Sequence, residues 1–104
     1  MNNKKVIYKY PVMVGREFEL KMPIFSKILS VQSQNGDPQM WASSDLGVPT
    51  EIRKFSLIMT GEEIDSKLFS SLTYVGTFQI NDFVGHLFES EEGKMLQGLC
   101  TYGV

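Results

Sequence analysis

The chain has 104 residues, 42% hydrophobic and 21% charged, with ten basic against twelve acidic side chains and a formal net charge of −2. That is the length of one domain with a modest core, and without a basic excess it does not suit a general nucleic-acid binder. The single cysteine, Cys100, excludes an intramolecular disulfide and fits a reducing compartment. No apolar run approaches the roughly 18 residues of a membrane span, and Lys9 interrupts the N-terminal stretch that a secretory signal would need. The cytosol is the expected address.

Lys4 to Tyr10 alternates and predicts a strand with Val6, Tyr8 and Tyr10 on one face. Pro11 to Arg16 holds Pro and Gly and reads as a turn. Glu17 to Met22 alternates without a fault, so Phe18, Leu20 and Met22 share a face and Pro23 should end the strand. These two strands are expected to form a hairpin. Ile28 to Gln34 and Gln39 to Ser43 flank the Asn35-Gly36-Asp37-Pro38 turn, whose Asn-Gly suits the left-handed backbone of a tight turn and predicts a second hairpin. Asp45 to Thr50 is a loop by composition.

Ile52 to Met59 carries Arg53, Phe55, Leu57 and Met59 on one face and Ile52, Lys54, Ser56 and Ile58 on the other. Both faces are partly apolar, as in a central strand covered on both sides. Between Thr60 and Ser71 the spacing of Ile64, Leu68 and Leu72 predicts one short helix, capped by Asp65 or Ser66. Leu72 to Glu89, turning at Asn81-Asp82, predicts the last hairpin. The expected fold is mainly β: a small antiparallel sandwich, roll or barrel of about six or seven strands with at most one short helix. One domain is expected over residues 1–89. The apolar but glycine-rich tail, 90–104, either docks on it or serves an oligomer interface.

Several short pieces in order give the chain a likeness: Val6-Ile7-Tyr8-Lys9-Tyr10, Met22-Pro23, Lys27 to Gln32, Trp41-Ala42, Arg53-Lys54-Phe55, Thr60-Gly61, Tyr74 to Gln79, and His86-Leu87-Phe88-Glu89. Together they resemble a family of short phage- and prophage-encoded β-rich proteins of unknown function. The resemblance implies a protein made inside the bacterial cell. It brings no established catalytic residue. By analogy with short accessory phage proteins, it implies a binder that counteracts host defences.

His86 is the only histidine and Cys100 the only thiol, and neither sits in a recognisable nucleophile motif. A structural zinc site wants four such ligands. Glu62, Glu63 and Asp65 read as a solvated acidic cluster, so no metal and no cofactor is expected. A carboxylate pair such as Glu17 with Glu89 could meet across strands, but no acid–base pair is recognisable and the protein is read as no enzyme.

For ligand binding the candidates are Trp41, Arg53, Thr60, Tyr74, Thr77 and His86. If Met40 and Ala42 face the core, Trp41 faces out as an interface anchor or base platform; a reversed register would make it core. Arg53 could clamp a phosphate or carboxylate, or shield apolar neighbours at the surface. Tyr74 offers a second aromatic platform, and Thr60, Thr77 and His86 offer donors. The expected function is a non-catalytic, phage-encoded binder in the host cytoplasm, without general nucleic-acid or membrane binding. It would sequester a nucleotide-like immune signal or block a host defence protein, as a homo-oligomer with pockets between subunits. The alternative is a virion structural or accessory module.

Overall fold

A computed structural model describes residues 4–13 and 15–90. The elements run β1 (Lys5–Pro11), β2 (Glu17–Pro23), β3 (Lys27–Gln34), β4 (Asp37–Asp45), β5 (Thr50–Met59), α1 (Ser66–Ser70), β6 (Leu72–Ile80) and β7 (Phe83–Ser90). They form two antiparallel sheets, ordered β1-β4-β3 and β2-β5-β7-β6, a small β-sandwich. The tail beyond Ser90 lies outside the described residues. Among those residues no helix is long and apolar enough to cross a membrane.

Two of the three expected hairpins form. β3 and β4 meet across Asn35 and Gly36, at φ 53° and 83°. β6 and β7 meet across Asn81, at φ 53°, and Asp82. The hairpin of β1 with β2 does not form, because the two strands join different sheets: β1 pairs with β4, and β2 with β5. Alternation identifies a strand but not its partner, and here burial decides. Val12, only 4% exposed, turns into the core with its N–H on the Pro38 carbonyl at 3.1 Å. Phe18 then stacks on its register partner Phe55 within the four-stranded sheet, centroids 5.5 Å apart.

The register sorts the faces. Met22, Met40, Ala42, Phe55 and Leu87, fully buried, line the space between the sheets with Val31, Leu57 and Phe78. β5 lies between β2 and β7, and Phe55 to Ile58 are buried on both faces, as a central strand requires. Because Met40 and Ala42 point inward, Trp41 lies on the outer face of the three-stranded sheet, half-buried between Lys9 and Ser30. Glu17 pairs with Ser56 on the outer face of its sheet, whereas Glu89 points inward. The carboxylate pair considered above therefore does not form.

On one side the edge strands β3 and β6 close the sandwich. Each carries a bulge, at Leu29 and at Val75, the irregularity that bends an edge strand. At Gly76 the approach is so close that a Cβ would stand 2.5 Å from Cγ1 of Val31.

The helix is shorter than its spacing suggests. Asp65 caps it, accepting the Leu68 N–H at 3.0 Å, while Leu72 already belongs to β6 and Leu68 stays exposed. Ahead of it Glu62 accepts the Met59 N–H at 3.0 Å and pairs with Arg16. The backbone bond first, and Arg16 second, hold the Glu62 carboxyl below its ordinary 4.5. A lowered folded value means that the stabilisation is present above the ordinary value and fades as pH falls through the folded one. An NMR titration should find the Glu62 midpoint below 4.5 and, in Arg16→Ala, moved only part of the way back, since the Met59 N–H remains.

Candidate functional site

Four of the six candidate residues meet in one hydrogen-bonded row on the outer face of the four-stranded sheet. His86, on β7, lies opposite Thr77 on β6 and Ile58 on β5. Its Nε2 is 2.7 Å from the Thr60 hydroxyl, and its Nδ1 is 3.0 Å from the Thr77 hydroxyl. The Thr77 hydroxyl in turn lies 2.6 Å from the Tyr74 phenol. A neutral imidazole donates from one nitrogen and accepts at the other, and hydroxyls can serve either partner. The row can therefore present donors and acceptors in more than one pattern.

Aromatic rings flank this row. Phe88, two residues along β7 from His86, is buried, and Tyr74 and Phe69 both lean on it edge-on with centroids 5.6 and 5.4 Å away. Tyr74 and Phe69 are themselves 58% and 47% exposed. The α1 segment thus brings Phe69 beside a sheet face that already carries Tyr74, and two rings stand partly open on a buried third. Such rings offer the π-faces on which a planar ligand stacks.

Arg53 is elsewhere. It points inward, and its Nε and Nη2 donate to the two carboxylate oxygens of Glu89 at 2.6 and 2.7 Å, while Nη1 donates to the Ser26 carbonyl at 2.7 Å. Its carboxylate partner belongs to its own chain, and with side chains 6% and 7% exposed the pair is interior rather than superficial. Burial opposes the guanidinium charge, but Glu89, helped by Glu51 and Tyr10, outweighs it, so the pKa of Arg53 rises. Ser26 continues the network to Ser44, hydroxyl to hydroxyl at 2.7 Å. Burial pushes the phenol of Tyr10 upward, against a lowering influence of Ser44. Arg53 and Glu89 floor a cleft of about 360 Å³, walled by Ile28, Tyr74 and Val75, where the β3–β4 and β6–β7 hairpins approach each other. Trp41 stands apart on the other sheet.

A family profile, Domain of unknown function (DUF7352), matches residues 3–97. The chain belongs to that family. The match to DUF7352 takes in all seven strands and runs past Glu89 into the segment set apart as a tail. Comparison with curated proteins and with solved structures gave no match.

In this DUF7352 domain the sequence reading missed Glu89, Ser26, Ser44 and Phe69. Glu89 carried a signal: it keeps the parity of Leu87 at the end of an apolar strand, and an inward carboxylate calls for an inward cation. Arg53, of Phe55 and Leu57 parity, is that cation. Phe69 carried none, because its role depends on where α1 lands.

Proposed function

We propose that this DUF7352 protein is a non-catalytic binding protein of phage origin that acts in the host cytoplasm. It counteracts antiviral defence by sequestering a nucleotide-derived signal, or by covering a host defence protein through the same face. The observation that carries this reading is the union on one sheet face of an imidazole–hydroxyl row with the two partly open rings of Tyr74 and Phe69. A base can stack on the rings while ribose or phosphate oxygens meet Thr60, Thr77 and His86. Binding without turnover suits this face, since both nitrogens of His86 are engaged by threonine hydroxyls, and Glu89 of the same strand points to the other side of the sheet, tied to Arg53. Phage origin and the anti-defence role rest on the resemblance described above.

The test is a thermal-shift screen with cyclic dinucleotides, cyclic trinucleotides and ADP-ribose. At about 100 times its dissociation constant a ligand adds about 2.7 kcal/mol, about 10 °C or more in a domain of this size. His86→Ala, at a half-buried site among exposed hydroxyls, should cost only about 1 kcal/mol of stability yet abolish the shift, as should Tyr74→Ala. Trp41→Ala should keep it. No shift with any of these compounds, with the protein present in stoichiometric amount in purified particles, would favour the virion module instead.

A further inference from the structure

Three non-glycine residues among those described have a left-handed backbone: Asn35, Asn81 and Phe25. Asparagine tolerates that conformation and serves the two hairpin turns. Phe25, at φ 65°, is a bulky aromatic in a position that suits glycine, and it is 66% exposed. Within its own chain the residue gains neither backbone comfort nor burial.

The turn around it is firmly held. The Ser26 N–H and hydroxyl both donate to the Pro23 carbonyl, at 3.2 and 2.6 Å, and the Ile24 N–H donates to the Pro49 carbonyl at 2.9 Å. Arg53 holds the Ser26 carbonyl from inside. Phe25 is thus projected outward by a clamped backbone, at the start of the chain segment (Ser26 to Ile28) that lines the cleft described above. A cavity of about 150 Å³ suffices for a benzene-sized group, so a cleft of about 360 Å³ with Ile28 and Val75 in its walls has room for a phenyl ring.

We propose that Phe25 is the anchor of a homodimer, its ring seated in the cleft of a second copy while the second copy's Phe25 fills the first. A two-fold interface places one patch against itself, so knob and hole must lie side by side on that patch. Here Phe25 directly precedes the cleft-lining segment that starts at Ser26. Charges match as well: Glu51 pairs with Met22 in register beside the Phe25 turn, and Lys27 stands at the cleft. Unfavourable backbone conformations cluster at binding and switch sites, and an interface is anchored by a few large side chains that fill pockets. The inference rests on other observations than the ligand reading; the two surfaces share only Tyr74, whose ring lies on the outer side of the β6–β7 sheet.

Sedimentation velocity across a concentration series tests it. Wild type should dimerise. Phe25→Gly should dimerise far more than about 30-fold more weakly, since about 30-fold is the loss of one hot-spot anchor and the symmetric pair loses two, while its monomer melts higher because glycine relieves the turn. Val75→Lys should block the cleft and also dissociate the dimer. Mixing the two variants restores one Phe25–cleft contact, so a heterodimer should form where neither variant alone associates. A wild type that stays monomeric at every concentration overturns the proposal, even if Phe25 then engages some other protein. So does a Phe25→Gly protein that dimerises as tightly as wild type, or a mixture with no heterodimer.

Discussion

Glu89→Ala lowers the stability of the fold by about 3–5 kcal/mol, because it leaves the Arg53 guanidinium buried without its partner. Denaturant unfolding measures this as a fall in the midpoint at unchanged slope. The size follows from the site: both side chains are less than a tenth exposed, and the two direct bonds are 2.6 and 2.7 Å long. A domain of this kind has about 5–15 kcal/mol in all, so the variant stands near the edge of folding. The double replacement Arg53→Met with Glu89→Leu should cost far less, since neither charge then needs the other. If the double variant loses as much as Glu89→Ala, the packing around the pair matters more than its charge.

Gly76→Ala should cost about 1–3 kcal/mol, as overpacking does in a closed interior. The new methyl group would meet Cγ1 of Val31, itself buried across the β3–β6 seam. Val31→Ala makes room, so the two substitutions together should cost less than the sum of their separate effects, a coupling that a double-mutant cycle reads directly. Additive costs would mean that the seam yields elsewhere. Since the same seam forms the cleft wall at Val75, the cycle also reports how firmly that wall is set.

How much of this was legible in the sequence depends on the range of the interaction. Asn35-Gly36 and Asn81-Asp82 declare their hairpins because the turn is local and the residue type answers the backbone requirement. The alternation of Glu17 to Met22 likewise declares a strand. It says nothing about pairing, and β1 and β2 separate because Val12 is drawn under β4, a contact 26 residues away in the chain (Val12 to Pro38). Trp41 was legible as an outward residue once Met40 and Ala42 were placed inward.

The site was legible in composition and scattered in place. Thr60, Tyr74, Thr77 and His86 converge because register sets Thr77 against His86 and the turn after β5 brings Thr60 alongside. Arg53 reads in the sequence as a clamp for a ligand's phosphate or carboxylate, or as a surface shield; it is a buried clamp on the chain's own Glu89, 36 residues on. Pairing of that range follows from sheet order, which short-range patterns do not encode. Phe25 showed nothing in the sequence, since only the backbone angle makes it unusual.

The central claim is that the Tyr74–Thr77–His86–Thr60 face takes up the ligand and leaves it unchanged. An NMR titration of isotope-labelled protein with the compound that gives the largest thermal shift tests it most directly. The account predicts that the His86 imidazole, Thr77 and Tyr74 resonances move together and saturably, that Trp41 stays still, and that the ligand is recovered intact. Shifts centred on Trp41, or conversion of the ligand during the titration, would contradict it.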